Sequence, residues 1–454
     1  MKTVPVLILL AVLCQTSTLL GQAIKVEVRQ SAEKWTLYRD NQPYYVKGVG
    51  GHVHLDVAVE IGANSIRTWG IDDAKQVLDL AHDRGLTVMV GLWVGHERHG
   101  FDYDDPIAVQ RQFNHFKAAV EELKNHPAIL LWGIGNEVDL FYSNIKVWDA
   151  IQEIAKMVHE VDPNHPTSTV TAGLDSNEVF WIKQKAPDID ILGINTYGDL
   201  AKVPKTIRQY GWKKAYMITE WGPNGHWEVA KTSWDAPIEQ NSEEKSNSYN
   251  ERYAKHILPF KADGLVGSYV FLWGQKQETT ETWYGLFDAQ GRPTRPIDML
   301  QKHWKGSLPA NQAPVVSDIK IISETELGDN VFYTGSKVKV SLVCSDPDND
   351  RIKVLWTLMP EASNTKAGGD AEQALNTISG HISKEGFNGA DLRIPATEGA
   401  YRLYVKIVDP LGKVGYANLP FYAYPRPLGQ GPSQWIEWKT PSLDIPTTSN
   451  SLEP

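Results

Sequence analysis

The sequence has little cysteine, and it lacks long apolar runs beyond its first residues. Only two cysteines occur in 454 residues, and one of them, Cys14, lies in an apolar stretch near the N-terminus. We predict that residues 1–23 are a secretory signal, because a lysine precedes this stretch and the small residues up to Ala23 suit signal peptidase. Cleavage there leaves Cys344 as the only thiol and excludes an intrachain disulfide.

The same absences bear on location and partners. We expect a secreted or periplasmic protein; a surface lipoprotein anchored through Cys14 is the weaker alternative, because Leu13 occupies a position that normally needs a small residue. No segment after residue 23 is apolar for long enough to span a bilayer. The net charge of -10 disfavours nucleic acid and anionic membranes, since both attract basic surfaces. It does not oppose a neutral substrate.

What is present is a long α/β pattern. From Tyr44 to Trp304, short β-branched runs alternate with amphipathic stretches, and this pattern predicts a (β/α)8 barrel, the TIM-barrel fold. A doubly wound open sheet is the competing fold, but no Gly-rich phosphate loop follows the first strand. The predicted strands are 44–49, 65–68, 86–93, 128–135, 167–172, 190–197, 215–219 and 265–273.

A change of pattern after the last predicted helix indicates a second domain. Helical periodicity stops at a Pro- and Asn-bearing stretch, 308–315, which we interpret as a linker. The alternating, turn-bounded segments of 316–425 predict a small all-β immunoglobulin-like sandwich. We therefore expect a catalytic barrel over 24–307, with a hairpin before its first strand, and a largely irregular tail over 426–454.

Two carboxylates carry the functional prediction. Glu137 follows an apolar run that ends in Gly135 and Asn136, and Glu220 closes a second apolar run. An α/β barrel keeps its chemistry at the carboxyl ends of its strands, where both residues are expected. Hydrolysis of a glycosidic bond needs one acid for the leaving oxygen and one carboxylate facing the anomeric carbon. The pair therefore predicts a glycosidase.

These residues resemble the clan A retaining glycoside hydrolases over Tyr44 to Trp304. The resemblance implies that Glu137 is the acid/base, that Asn136 binds the sugar 2-hydroxyl and that Glu220 is the nucleophile. It further implies that Arg67 is bonded to the nucleophile, that Tyr197 touches the nucleophile and that Trp273 lies under the reacting sugar. We also expect Trp221, Trp227 and His96 to line the sugar cleft.

Metal chemistry is disfavoured, and we expect no metal and no cofactor. His52 and His54 follow the first strand, but the fifth and sixth strand ends lack the histidines that metal-dependent barrels need. The histidine pair at 96 and 99 has no fourth ligand in view. The aspartates at 346, 348 and 350 lack the glycine and glutamate of an EF-hand, so a solvated turn is the better interpretation.

The substrate is the least determined prediction. A short barrel followed by an immunoglobulin-like domain resembles the secreted bacterial laminarinases of glycoside hydrolase family 158, which implies internal cleavage of β-1,3-glucan. The lack of a preceding sandwich argues against exo-acting β-galactosidase and β-mannosidase architectures. A transglycosylase and hydrolysis of β-mannan or another β-glycan remain open; a non-catalytic sugar-binding protein ranks last, because both glutamates are present. We expect a monomer with a polysaccharide as its partner.

Overall fold

A computed structural model describes residues 22–32, 34–324 and 326–426. The predicted signal, apart from its last two residues, and the predicted tail beyond residue 426 lie outside these ranges. Within them, no helix is both long enough and apolar enough to cross a membrane.

The chain begins with a small antiparallel sheet under the barrel. It consists of β1 (Val26–Ser31), β2 (Lys34–Arg39) and β3 (Gln42–Pro43). Val26 and Leu37 are buried in one apolar cluster with residues that open the barrel strands, such as Ala215. This sheet therefore covers the amino-terminal end of the barrel, away from the end where catalytic groups are expected.

Eight parallel strands close into a barrel, which confirms the predicted (β/α)8 fold. Neighbouring strands follow the order β10-β11-β4-β5-β6-β7-β8-β9. The barrel strands are β4 (Val46–Gly50), β5 (Ser65–Arg67), β6 (Thr87–Leu92), β7 (Ile129–Ile134), β8 (Thr167–Ala172), β9 (Ile191–Asn195), β10 (Ala215–Trp221) and β11 (Leu265–Val270). In this order β7 and β11 lie on opposite sides of the barrel mouth.

Helices cover the outside of the barrel. They are α1 (Leu55–Glu60), α2 (Ala74–His82), α3 (Pro106–Leu123), α4 (Lys146–Val161), α5 (Ser176–Lys185), α6 (Val203–Gln209), α7 (Ser242–Arg252) and α8 (Arg295–Lys305). Local signals set the start of several of these helices. The Asp105 carboxylate accepts two backbone N–H groups at the start of α3, and Asn241 with Glu244 forms a capping box on α7.

Packing inside the barrel is tight enough to dictate residue size. A Cβ atom on Gly48 would lie 2.1 Å from the ring of Tyr269, so only glycine fits opposite that tyrosine. The Tyr269 hydroxyl lies 2.8 Å from Ser65 Oγ, which gives the buried ring a hydrogen bond. The lower barrel is therefore a filled core, and the open space lies at the carboxyl ends of the strands.

A two-sheet sandwich follows the barrel, as the all-β pattern predicted. Its strands are β12 (Val315–Ile322), β13 (Val331–Tyr333), β14 (Lys337–Ser345), β15 (Lys353–Pro360), β16 (Ile382–Gly386), β17 (Gly389–Arg393), β18 (Gly399–Val408) and β19 (Val414–Tyr424). One sheet has the order β12-β14-β17-β16 and the other β13-β19-β18-β15. Cys344 lies half-buried with a free thiol. Asp346 accepts the backbone N–H of Asp348 and Asp350 in the turn after β14.

The sandwich docks on the barrel through a buried polar cluster rather than through apolar side chains alone. Lys245 on α7 contacts Glu239 at 2.5 Å, and Asn418 on β19 donates to the same carboxylate at 2.6 Å. Arg402 on β18 pairs with Glu361 and also donates to the Pro237 carbonyl of the barrel. The two domains therefore share one hydrogen-bonded interface beside α7.

Candidate active site

Glu220 lies at the carboxyl end of β10 with three hydrogen-bond donors around it. Arg67 Nη1 and Trp69 Nε1 each lie 3.0 Å from its Oε1, and the Tyr197 hydroxyl lies 3.0 Å from its Oε2. The carboxylate is only 5% exposed. Donors on both oxygens favour the ionised form and fix its orientation. Glu220 is thus held as a fixed, charged carboxylate.

Glu137 has a different environment. It follows β7, its backbone adopts a φ of 51°, and its N–H donates to the Val170 carbonyl at 2.9 Å. Its carboxyl Oε1 accepts one hydrogen bond, from Asn195 Nδ2 at 2.8 Å. Burial, together with the negative charge of Glu220, raises the pKa of Glu137 to about 7. A carboxyl with that pKa carries its proton over much of the neutral range and can release it to a leaving group.

Two amide side chains and one guanidinium connect these carboxylates. Arg67 Nη2 donates to Asn136 Oδ1 at 2.6 Å, and Asn195 Nδ2 donates to the same oxygen at 3.1 Å. Arg67 is 2% exposed and Asn195 is 3% exposed. Because Arg67 reaches both Asn136 and Glu220, it couples the end of β7 to the end of β10. The whole network is therefore preorganised before any ligand binds.

A second acid lies close to Glu137. Asp139 accepts the Ala172 backbone N–H with both oxygens, at 3.1 and 3.0 Å. Burial raises the pKa of Asp139 to about 8, and the neighbouring Glu137 adds to the shift. A protonated Asp139 adds no further negative charge beside the acid/base carboxyl.

Aromatic rings surround Glu220. Phe271, just past β11, packs edge-on against Trp69 at 5.9 Å and against Tyr197 at 6.3 Å between ring centroids. Tyr284 packs on Tyr197 at 5.3 Å. Trp273, which we expected beneath the reacting sugar, is 1% exposed and packs against Phe287. The aromatic residue after β11 that packs on the Glu220-bonded rings of Trp69 and Tyr197 is therefore Phe271, two residues before the predicted tryptophan.

The expected cleft residues have different positions. Trp227 is 58% exposed and stands edge-on to Tyr197, so its ring is available to a ligand beside the nucleophile. Trp221 is fully buried between Tyr249 and Tyr253, so no sugar reaches it, and the expectation that it lines the cleft is wrong. It points outward because successive strand residues alternate sides, and Glu220 points inward.

His96 also departs from its expected role. It is 2% exposed, and its Nε2 donates to the Asn136 carbonyl at 2.6 Å. Burial lowers the pKa of His96 to about 4, so the ring is neutral near pH 7. Its packing holds the backbone that carries Asn136 and Glu137. His96 therefore supports the site from behind instead of lining the cleft.

The sequence contained signals for some of the residues that were missed. Asn195 closes β9 as a polar residue directly after an apolar run, as Asn136 does after β7. Phe271 had no distinguishing signal, because it is an apolar residue at the end of an apolar strand. Among the described residues, no three His, Cys, Asp or Glu side chains are grouped to hold a metal ion.

The arrangement has the parts that glycosidic cleavage needs. One carboxylate is fixed by three donors, the other keeps a proton near neutral pH, and Asn136 is linked to the first through Arg67 and to the second through Asn195. Aromatic rings offer flat apolar faces next to this centre. The geometry therefore combines general acid catalysis with a positioned anionic group.

Comparisons with known proteins find relatives that match part of this chain. The chain is 22% identical over 307 residues to the β-glucuronidase of Chlorocebus aethiops, covering 59% of this chain and 45% of that protein. It is 24% identical over 220 residues to the β-mannosidase of Mus musculus, covering 44% of this chain and 23% of the relative. The chain thus spans less than half the length of these curated relatives.

Solved structures also match part of this chain. A β-D-glucuronidase of Dictyoglomus thermophilum matches with a TM-score of 0.48 and 18% identity, over 63% of this chain and 54% of the other. The β-glucuronidase 2 of Bacteroides uniformis matches with a TM-score of 0.48 and 16% identity, over 88% and 48%.

A family model covers most of the barrel. The model described as "Glycosyl hydrolases family 2, TIM barrel domain" matches residues 52–306, which include both carboxylates and exceed half of the chain. Family 2 supports the clan A resemblance, whereas none of these matches shows the family 158 laminarinase resemblance. By this match, the chain belongs to the glycosyl hydrolase family 2 TIM-barrel family.

Proposed function

We propose that this protein hydrolyses β-glycosides with retention of anomeric configuration. Glu220 attacks the anomeric carbon while Glu137 gives its proton to the departing glycosidic oxygen. This step breaks the bond to the aglycone and forms a glycosyl ester on Glu220. Glu137 then accepts a proton from water, whose oxygen displaces Glu220 from the sugar.

The contrast between the two carboxyl environments carries this proposal. Glu220 receives three donors, one of them the Arg67 guanidinium, whereas Glu137 receives one and has a pKa of about 7. When two neighbouring carboxyls differ in pKa, the one that loses its proton more readily is suited to be the nucleophile and the one that keeps its proton is suited to be the acid. When the ester forms, the charge of Glu220 disappears, so the pKa of Glu137 falls and it becomes a base for water.

For the substrate we propose a neutral β-glucan, cleaved within the chain at β-1,3 linkages. Exposed tryptophans beside the centre suit a polymer: Trp227 is 58% exposed and Trp93 is 41% exposed. Lys276, whose ammonium lies 5.3 Å over the Phe271 ring, is already paired with Glu278 at 2.5 Å. That pairing leaves this cation neutralised and gives no preference for an anionic sugar. The β-1,3 preference rests on the sequence resemblance alone.

A second candidate is release of single sugars from chain ends or small glycosides. The names of the relatives favour it, since they are a β-glucuronidase and a β-mannosidase. Under this alternative the catalytic roles of Glu137 and Glu220 are the same. Only the substrate and the position of cleavage differ.

One experiment separates these candidates. Purified residues 24–454 are incubated with laminarin, β-mannan, mixed-linkage glucan and the 4-nitrophenyl β-glycosides of glucose, mannose and glucuronic acid. Early mixed oligosaccharides from laminarin support the endo-glucanase, whereas release of monosaccharide or nitrophenol alone supports the exo-glycosidase. Products longer than the substrate indicate transglycosylation. Binding without any cleavage contradicts the hydrolase proposal.

We further propose that the chain is exported as a monomer, as expected for an enzyme that meets a polymer outside the cell. Amino-terminal sequencing of the mature protein tests cleavage after Ala23. Light scattering of the purified protein tests the monomer.

A further inference from the structure

A groove runs between the barrel and the sandwich, and neither Glu137 nor Glu220 lines it. It encloses about 440 Å³. One wall is the segment after β10, another is the segment after β11, and the third is the start of the sandwich segment 361–381. We name it the interdomain groove, and the lining residues used below are His226, Trp234, Asp235, Thr279, Glu361 and Ser363.

Two polar atoms in the lining are buried without a protein partner. Neither Thr279 Oγ1 nor Trp234 Nε1 has a hydrogen-bond partner among the described residues. Thr279 is 2% exposed, and its backbone N–H is fixed by Glu372 Oε2 at 2.7 Å. Unsatisfied buried hydroxyl and indole N–H groups are costly to a folded protein. With these residues in its lining, the groove has polar walls that are incompletely paired, which suits a ligand rich in hydroxyl groups, since a hydroxyl both donates and accepts.

The groove adjoins the catalytic centre through a short series of rings. The His226 ring lies 4.9 Å from that of Trp227, and Trp227 lies 6.0 Å from Tyr197. Tyr197 in turn donates to Glu220. Because the Trp227 ring is mostly exposed, a ligand reaching from Glu220 into the groove crosses one free aromatic face.

The sandwich segment that lines the groove continues across the barrel mouth. Asp370 pairs with Arg98 at 2.8 Å, beyond β6, while Lys276, beyond β11, donates to the Gly369 carbonyl at 3.2 Å. A Cβ on Gly368 would lie 2.6 Å from Leu140, which follows β7. Since β7 and β11 are opposite in the barrel, the segment 361–381 spans the mouth. The groove therefore exists only when the sandwich is docked.

We propose that the interdomain groove is a binding subsite for sugar units of the substrate that lie remote from the cleaved bond. This inference rests on the proposed glycosidase function. The ligand is a neutral β-linked oligosaccharide, because the charged pair at the rim, Lys231 and Asp235, is already internally matched at 2.8 Å. The sandwich domain, by this proposal, is part of the substrate-binding surface.

The test uses the full chain and three variants. Ser363→Trp fills the groove, and Thr279→Val removes the unpartnered hydroxyl. Ser383→Trp is the matched control, because Ser383 is exposed on β16 and does not line the groove. The readout is the ratio of kcat/KM for laminarihexaose to kcat/KM for 4-nitrophenyl β-glucoside. The ratio should fall about tenfold or more in Ser363→Trp, fall less in Thr279→Val and stay constant in Ser383→Trp. An unchanged ratio in Ser363→Trp overturns the proposal.

A binding measurement separates this inference from the proposed function. Laminarihexaose is titrated calorimetrically into Glu220→Gln with and without Ser363→Trp. Weaker binding in the double variant supports the groove even if the native protein cleaves no glucan. Equal binding in both, or binding in neither, overturns the groove proposal whether or not the enzyme hydrolyses nitrophenyl glycosides.

Discussion

The barrel mouth and the barrel–sandwich interface each hold one buried and one partly buried glutamate, Glu220 with Glu137 and Glu239 with Glu361, but they compensate these charges differently. At the interface, burial opposes ionisation of Glu239, yet the Lys245 ammonium and the Thr280 hydroxyl outweigh it, and the pKa of Glu239 is lowered. The second interface glutamate, Glu361, is bound by Arg402 through two bonds of 2.8 and 2.7 Å. Two anions thus meet two cations.

At the mouth, two glutamates share a single buried arginine. Arg67 bonds directly to Glu220, while Glu137 has only the Asn195 amide. Burial and the negative charge of Glu220 raise the pKa of Glu137 to about 7, because, among the described residues, no cation bonded to Glu137 offsets them. The difference teaches that burial with a bonded cation keeps a carboxylate ionised at the interface, whereas burial beside another carboxylate at the mouth gives a carboxyl that exchanges its proton near neutral pH.

The largest expected effect is loss of the nucleophile. Glu220→Gln should reduce kcat by roughly 10⁴-fold or more, because no ester can form, while substrate binding is retained. Steady-state kinetics on an activated aryl glycoside and calorimetric binding of the uncleaved oligosaccharide check both parts. Glu385→Gln, exposed on β16 of the sandwich, serves as control. Full turnover in Glu220→Gln would contradict the assignment.

Removing the interface cation tests the other half of the comparison. Lys245→Met leaves Glu239 buried with its main counter-charge gone, and we expect a loss of about 3–5 kcal/mol in the free energy of unfolding. Denaturant unfolding measures it. The exposed pair of Lys320 with Asp318 supplies the control: Lys320→Met should cost less than about 1 kcal/mol. Equal losses in the two variants would show that burial at the interface has no special effect.

Replacing one glutamate by glutamine at the barrel mouth and one at the barrel–sandwich interface should change the free energy of unfolding in opposite directions. The pKa of Glu137 is raised in the folded state, so its ionisation destabilises the fold increasingly as pH rises from about 4.5 through about 7. Glu137→Gln should therefore be more stable than wild type by about 3 kcal/mol at pH 8, and the gain should vanish near pH 4. Urea unfolding at several pH values measures this difference.

Glu239→Gln is the matched opposite case. The pKa of Glu239 is lowered in the folded state, so its ionised form contributes stability above its unfolded pKa, and that contribution is lost as pH falls. The glutamine variant should therefore be less stable than wild type at pH 8 and approach it in acid. If both glutamine variants moved in the same direction with pH, the comparison between the clusters would be wrong.

The sequence predicted the barrel and its two glutamates because both depend on local pattern. Apolar runs that end in a polar residue mark buried strands, and Asn136, Glu137 and Glu220 all follow such runs. Trp221 could have been placed correctly from the same pattern, since a neighbour of inward-facing Glu220 on a strand must face outward.

Other features depend on contacts between distant parts of the chain. Asn195 joins Asn136 to Glu137 only because β7 and β9 end at the same mouth. The sandwich segment around Asp370 meets Arg98 across 272 positions of sequence. No local periodicity encodes such a pairing, so the sandwich was predicted as a fold but its contribution to the mouth was not.

The smallest expected effect concerns the pH profile. The Asn195 amide donates to Glu137 and lowers its pKa against the larger effects of burial and of Glu220. Asn195→Ala removes that donor, so the pKa of Glu137 should rise and the alkaline limb of kcat/KM should move to higher pH. Catalysis needs the protonated acid, which is why this limb follows Glu137. Asn177→Ala, exposed on α5, is the control and should leave the profile in place. If the alkaline limb moved to lower pH in Asn195→Ala, the amide would be stabilising the protonated form of Glu137. The incomplete pairing at the mouth would then not explain the raised pKa of Glu137.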